Sequence, residues 1–388
     1  MKIESVTARW VHVPIPKAQQ HKSDLGVADH FDATIVRVET ACGLVGWGEA
    51  KASVGSMGNN AALVALINHD LGPALIGEDP RNPRRLWEIG YNGSRAQFAL
   101  TRGQAFPALN RRGSLISAIG AIDMACWDIL GRSLEVPVWQ LLGGKCRDAL
   151  PAYASGGWAP AEAIGAQLEG YIFRGGFRAV KMRVGAGDGD VITSVRRVRA
   201  ARAYLGCDIQ IMVDAHGTFS VKEALRFVRL VEDCGLAWFE EPVNVDDKAG
   251  TATVRAASDI PIAAGESEFT RFDFRDLIEH KAVDYFQPDL AIAGGITEAM
   301  RIAALAESHG IKLAPHLWGG ALNFAAGLQV MAVSPAAVIA EYSLGANPLL
   351  HDLAEESFEV EDGMIAIPDR PGLGITIDEE FLAAHTVD

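Results

Sequence analysis

Six acidic or histidine residues, each just after a short apolar run, recur through the second half of the chain at nearly one interval: Asp214, Glu240, Glu266, Asp289, His316 and Glu341. The steps between them are 26, 26, 23, 27 and 25 residues, the length of one strand, one helix and two short loops in a repeating βα unit. That period predicts each residue at the C-terminal end of a strand. In a closed barrel of parallel strands those ends share one face, so residues distant in sequence converge on one site.

The surrounding pattern agrees with the period. From Leu150 onward short apolar strands alternate with amphipathic helices, and eight strands are read at LPAYAS, FRAVKMRV, CDIQIMVDA, LAWFEEP, IPIAAGE, VDYFQPD, IKLAPH and AVIAEYS. Helices such as VKEALRFVRLVEDCG and GITEAMRIAALAESHG end at a glycine, as a C-cap would. The fold class expected is therefore α/β, a (β/α)8-type TIM barrel. The chain has 388 residues, which leaves room beside a barrel of about 250 for a smaller domain. Residues 1–50 read as a strand, a polar loop over 16–31 and a hairpin turning at Cys42–Gly43, and helical periodicity follows, notably over 83–91 and 114–130. The expected organisation is an α+β capping domain over 1–125, the barrel over 126–345, and a segment over 346–388 that loses the βα period and returns to the cap.

Composition narrows the function classes. Hydrophobic residues make up 49% and charged residues 22% of the chain, enough apolar material for a large core. A formal charge of −14 repels phosphate backbones and anionic membranes at long range, so neither nucleic acid nor a membrane is an expected partner. An anionic small molecule is not excluded, because a bound cation can reverse the potential inside one pocket. The five cysteines lack a CxxC pair and read as reduced thiols, and the N-terminus alternates like a strand without an apolar signal core, both pointing to the cytoplasm. Residues 313–340 contain no Asp, Glu, Lys or Arg, yet His316, Asn323, Gln329 and Pro335 argue for a buried strand and helix of the barrel rather than a membrane span.

Asp214, Glu240 and Glu266 end three consecutive strands. Any one acid there might equally cap the next helix, but three crowded into a dry mouth repel one another unless protonated or bound to a cation. Mg²⁺, one per subunit, suits such oxygens and keeps positions open for substrate. Asp289 and His316 end the next two strands, where a carboxylate on one imidazole nitrogen fixes the tautomer and leaves the other as a base. Lys181 and Arg183, two apart in FRAVKMRVG, point to the same side of their strand and offer cations to a carboxylate and to charge developing on it. Arg183 itself stays protonated and cannot shuttle a proton.

The order KMR, VDAHG, FEEP, AGES, QPDL, PHLW and AEYS, with the helix AIDMACWDILGR, the LLGG turn and the PGLGI tail, resembles the enolase superfamily, and within it the mandelate racemase-like subgroup. The resemblance covers nearly the whole chain. It implies Asp214, Glu240 and Glu266 as Mg²⁺ ligands, Asp289 with His316 as the catalytic dyad, Glu341 as the acid that hydrogen-bonds the substrate carboxylate, and Glu241 as a residue behind the ligands. Two positions depart from the family pattern. Arg183 stands where a second Lys of a KxK motif is typical, which argues against simple two-base racemisation. His216, where Asn is common, resembles the acid of galactonate-type dehydratases.

The resulting expectation is a lyase: α-proton abstraction from an acid-sugar carboxylate, an enediolate, loss of the β-hydroxyl and a 2-keto-3-deoxy acid product. Epimerisation or racemisation, cycloisomerisation of an aldaric lactone and, remotely, a noncatalytic binding barrel are the alternatives. Residues 16–31, with His21 and Lys22, and residues 51–59 are expected to cover the mouth and contact substrate, as is Trp318, while Arg95 and Arg102 are candidates for a second carboxylate. Self-association into a homo-oligomer is expected on general grounds.

Overall fold

The computed structural model describes residues 1–23, 26–53, 55–103 and 112–387, without the side chains of 21–23 and 98. The chain opens with the capping domain. Strand β1 (Ile3–Pro14) is followed by a two-stranded hairpin, β2 (His21–Ser23) and β3 (Gly26–Ala28). Next come β4 (His30–Thr40) and β5 (Val45–Ala50), which complete an antiparallel sheet in the order β1-β4-β5. Along β1, Val6 and Ala8 are buried in the core of the cap and Val11 and Val13 in the core continuous with the barrel, so the two halves of the strand bury opposite faces of the pleat.

The helix Ser114–Leu134 is the segment among the described residues long and apolar enough to cross a membrane, and it is instead largely buried inside the protein. It packs on β5 on one side and on the helices Leu290–Ala293 and Gly295–His309 on the other, joining cap to barrel. Glycines at 46 and 48 permit the first contact: a Cβ on either would overlap a helix carbonyl, that of Ala125 or Ala121.

The barrel strands run parallel in chain order: β6 (Ala149–Ser155), β7 (Ala179–Arg183), β8 (Gln210–Asp214), β9 (Trp238–Glu240), β10 (Ile262–Ala264), β11 (Tyr285–Phe286), β12 (Lys312–Leu313) and β13 (Ala340–Ser343). The ring closes where β13 pairs with β6 and Leu313 bridges Ala337. Seven fall within the segments read from sequence and β6 starts one residue ahead of its segment, at Ala149, although several are only two or three residues long. Strand pairing stops before the chemistry begins: Glu266, Asp289 and His316 lie past the last paired residue of their strands, in the βα loops. Inward-facing Tyr153, Met212, Trp238 and Tyr285 stack as a floor beneath the mouth, Tyr153 edge-on to Trp238 at 5.3 Å. After β13 only the short helix Pro348–His351 follows, so the last unit is not a full βα repeat. Strand β15 (Met364–Ala366) adds antiparallel to β6 at its starting end, and β14 (Val360–Glu361) pairs antiparallel with β15 on the outside. The tail then returns to the cap, where Thr386 bridges Val11. The apolar run over 313–340 forms β12 and the buried helix Ala321–Val333.

Candidate active site

Register brings the three strand-end acids together: Asp214 lies opposite Glu240 across β8–β9, and Glu240 opposite Ala263 of β10, just ahead of Glu266. One oxygen from each of Asp214, Glu240 and Glu266 falls within a 4.8 Å cluster, and all three residues are buried. Their remaining valences are used selectively. Glu240 Oε2 accepts from Trp238 Nε1 at 2.9 Å and Gln287 Nε2 at 2.8 Å, and Asp214 Oδ1 from the His216 backbone N–H at 2.9 Å. Glu266 Oε2, fully buried, accepts no hydrogen bond. A buried carboxylate oxygen without a donor is costly, and three hard oxygens meeting in one cradle fit an octahedral divalent cation such as Mg²⁺.

Across the mouth His316 Nδ1 sits 2.7 Å from Asp289 Oδ2. Its Nε2 is 3.6 Å from Glu266 Oε2, so the free nitrogen faces the acidic cradle. Burial alone would depress the basicity of His316, but the carboxylates of Glu266 and Glu341 and the bond to Asp289 outweigh it and hold the imidazole above its ordinary pKa. Asp289 is pushed up by burial, yet the charge of Lys51 and the bond to His316 bring it below the usual carboxylate range.

Lys51 is a residue that the βα period does not reveal. It follows β5 of the cap, is wholly buried, and places Nζ 2.6 Å from the same Asp289 oxygen that holds His316, with a second bond to the Trp318 carbonyl at 2.7 Å. Two residues earlier, Glu49 accepts from the backbone N–H groups of Gly320 (2.7 Å) and Asn323 (3.1 Å), capping the helix Ala321–Val333. The only sequence signal for this pair is the spacing GEAK at a strand end. Gln287, two residues before Asp289, was equally unforeseen.

Lys181 Nζ lies 2.5 Å from Glu240 Oε1 and 3.1 Å from Glu341 Oε1. Burial would lower its pKa, but these two carboxylates raise it instead, so the side chain is a fixed cation. Glu341 shows the converse: burial pushes it up, Lys181 and His316 overcome that, and it stays ionised, with Oε2 accepting from the Leu317 N–H at 2.9 Å. Arg183 reaches the same centre and lies against the Asp214 carboxylate. His216 Nε2 is 3.5 Å from Asp214 Oδ2. His216 and Glu241 both have positive φ, 45° and 39°, a conformation costly for residues other than Gly and concentrated at functional sites. Glu241 is buried, and its pKa is raised by burial and by Glu266 and Glu240.

The structure thus gathers Lys181, Arg183, His216, Asp214, Glu240, Glu266, Asp289, His316 and Glu341 in one mouth. The Trp318 ring forms a wall with Trp158, edge-on at 6.0 Å, and Phe31 at 6.5 Å, and its carbonyl also accepts from Ser56 Oγ. The side chains of His21 and Lys22 lie outside the described residues. Arg95 and Arg102 are exposed, in the turn Gly93–Arg95 and the helix Ala96–Arg102.

A parallel barrel under an α+β cap, with acids on successive strand ends and a His–Asp pair facing them, defines an enolase-like fold. The chain belongs to that family: residues 163–381 match the enolase C-terminal domain-like family, and residues 5–143 match the N-terminal domain of the mandelate racemase / muconate lactonizing enzyme family. It is 34% identical over 360 residues to the D-galactarolactone cycloisomerase of Agrobacterium fabrum, covering 90% of this chain and 89% of that protein. It is 37% identical over 366 residues to the D-galactonate dehydratase of Cronobacter sakazakii, covering 90% of each. Among solved structures, a racemase from Streptomyces coelicolor with bound magnesium superimposes with a TM-score of 0.85 at 30% identity, over 99% of this chain and all of that one.

Proposed function

We propose that this protein is a Mg²⁺-dependent acid-sugar dehydratase that converts an aldonate or aldarate to a 2-keto-3-deoxy acid. The observation that carries the reading is the placement of His316, held on Asp289 at 2.7 Å with its other nitrogen turned to the Asp214–Glu240–Glu266 cradle. An acid whose carboxylate spans that cradle and Lys181 presents its α-carbon to His316 Nε2. A divalent cation on the three carboxylates supplies charge neutralisation for the substrate carboxylate. His316 takes the α-proton, and Lys181 and Arg183 stabilise the second negative charge of the enediolate without a mobile proton of their own. Glu341, held ionised, orients the Lys181 ammonium 3.1 Å from its Oε1, and that ammonium is the donor to the substrate carboxylate. The C3–O bond then breaks as His216 or His316 delivers a proton to the leaving hydroxyl, which departs as water, and the enol tautomerises to the ketone. The fixed guanidinium of Arg183, where a second base would be needed, weighs against racemisation.

A second reading, cycloisomerisation of an aldaric lactone, is favoured by the similarity to the Agrobacterium enzyme. The two diverge only after the shared proton abstraction, so the product decides. Mg²⁺-loaded protein is incubated with mono- and diacid sugars and with aldaric lactones, and 2-keto products are trapped with semicarbazide. A 2-keto-3-deoxy product from an acyclic sugar acid, absent with His316→Asn, supports dehydration. Turnover of the lactones alone sinks it in favour of cycloisomerisation.

A further inference from the structure

A second set of metal-ligating side chains stands on the capping sheet. β1 and β4 are antiparallel with His12 directly opposite Asp32 and Pro14 opposite His30, so His12, His30 and Asp32 project from one face. His12 Nδ1 lies 2.9 Å from Asp32 Oδ1, and His30 Nε2 lies 3.0 Å from Asp32 Oδ2. The ring centroids are 4.7 Å apart, and one ligand atom from each residue falls within a 4.8 Å cluster. Asp32 is 1% exposed and fixed by donors behind it, Trp10 Nε1 at 2.7 Å and the Gly58 N–H at 2.9 Å, whereas the His12 and His30 side chains are 40% and 29% exposed. The cluster is rigid on the protein side and open on the solvent side.

Asp29 fixes the direction of His30: Nδ1 lies 2.6 Å from Asp29 Oδ1, which turns Nε2 into the cluster, 3.0 Å from Asp32 Oδ2. A carboxylate on the outer nitrogen of a histidine is the usual way a metal-binding imidazole is oriented.

We propose that His12, His30 and Asp32 bind a first-row divalent transition ion of the zinc class, with Asp29 orienting His30. Donor separations of 2.9–3.0 Å are those of ligands roughly 90° apart on bonds of about 2.0–2.2 Å, and an opening of a few tenths of an ångström gives the tetrahedral spacing. Two imidazoles and one carboxylate also differ in kind from the all-oxygen set in the barrel, so N-preferring ions and Mg²⁺ sort between the two places. The ion ties β1 to β4 and, through the Gly58 N–H on Asp32, to the stretch whose Lys51 and Ser56 side chains reach the Trp318 carbonyl.

The test uses the full chain saturated with Mg²⁺, titrated with Zn²⁺ by calorimetry and with Co²⁺ by its visible d–d bands. Wild type is compared with His12→Ala, His30→Ala and Asp29→Asn, each checked for folding by circular dichroism. Wild type should bind one equivalent more Zn²⁺ than either His variant and show a Zn²⁺-dependent rise in Tm that both lack. Asp29→Asn should retain the site with affinity weaker by about tenfold or more. Equal stoichiometry in wild type and the His variants would place the ion elsewhere. No Zn²⁺ or Co²⁺ uptake by Mg²⁺-saturated wild type, with Tm unmoved, would leave the cluster a set of structural His–Asp hydrogen bonds, and overturn the proposal.

Discussion

The barrel mouth and the seam under the helix Ser114–Leu134 bury carboxylates about equally well, and treat them in opposite ways. In the mouth Asp289 and Glu341 are fully buried, yet both are held below the ordinary range: desolvation pushes each up, and Lys51 together with His316 on one, and Lys181 together with His316 and hydrogen-bond donors on the other, outweigh it in sum. In the seam Asp123 accepts from the Thr297 N–H at 2.8 Å and the Thr297 hydroxyl at 2.5 Å, and burial outweighs these bonds and the weaker pull of Arg301, pushing its pKa up to about 7. Neutral hydrogen bonds satisfy a buried acid geometrically but do not keep it charged, whereas a buried cation does. The mouth retains charge where proton abstraction requires it. The seam lets an acid take up a proton, since only packing is at stake.

The comparison breaks most visibly at the base. His316→Asn keeps a hydrogen bond to Asp289 but removes the proton acceptor, and turnover should fall by about 10²–10⁴-fold. Solvent deuterium should no longer enter the α-carbon of the substrate. Exchange at the wild-type rate in this variant would assign the base to another residue.

In the seam the prediction concerns pH. Unfolded Asp123 loses its proton near 3.8, while the folded protein keeps it to about 7, so between those values the native state binds more protons and stability falls as pH rises. The contribution is fully present below pH 3.8 and has been lost above 7. Asp123→Asn stays neutral throughout, so its stability relative to wild type should improve between pH 4.5 and 8, by about 2–4 kcal/mol. Denaturant melts at the two pH values measure this. A difference between the two proteins that does not change with pH would show that Asp123 is ionised in the fold.

Lys51→Met tests the opposite case, removing the charge that keeps Asp289 anionic while retaining the length of the side chain. Loss of such a supporting partner should lower kcat by about 10–100-fold with KM little altered, because Lys51 bonds to Asp289 and the Trp318 carbonyl and has no place in the proposed substrate contacts. Lys51→Arg should recover part of the rate. A rise in KM with kcat unchanged would make Lys51 a substrate contact instead.

These residues also separate what the sequence discloses from what it conceals. Asp214, Glu240, Glu266, Asp289, His316 and Glu341 were legible because strand, helix and loop lengths are nearly constant in a βα repeat, so chemistry placed at strand ends inherits the period. Lys181 and Arg183 were legible from two-residue alternation. Glu49 and Lys51 were not, because they enter from a different sheet through a cap–barrel contact that no local period encodes. The helix Ser114–Leu134 was recognisable as helix, but its burial between two domains depends on partners far away in sequence. Strand lengths were overread at β11 and β12, where apolar residues continue past the last paired position into loops that line the mouth.

The smallest expected effect joins the two regions. Gly48 permits β5 to approach the helix Ser114–Leu134, and a Cβ there would overlap the Ala121 carbonyl oxygen, a backbone atom that cannot swing aside. Gly48→Ala must therefore move the strand or the helix, at a cost of about 1–2 kcal/mol as overpacking. Glu49 is next on that strand and Lys51 stands just past its end, and their bonds to Gly320, Asn323 and Asp289 cross into the barrel. A displacement at Gly48 is thus transmitted to the dyad, and kcat should fall less than tenfold, well short of Lys51→Met. Combining the two variants distinguishes transmission through Lys51 from general loosening. If the route is Lys51, adding Gly48→Ala to Lys51→Met costs stability but little further rate, whereas an undiminished loss of rate in the double variant would mean that the cap acts on the site by another path.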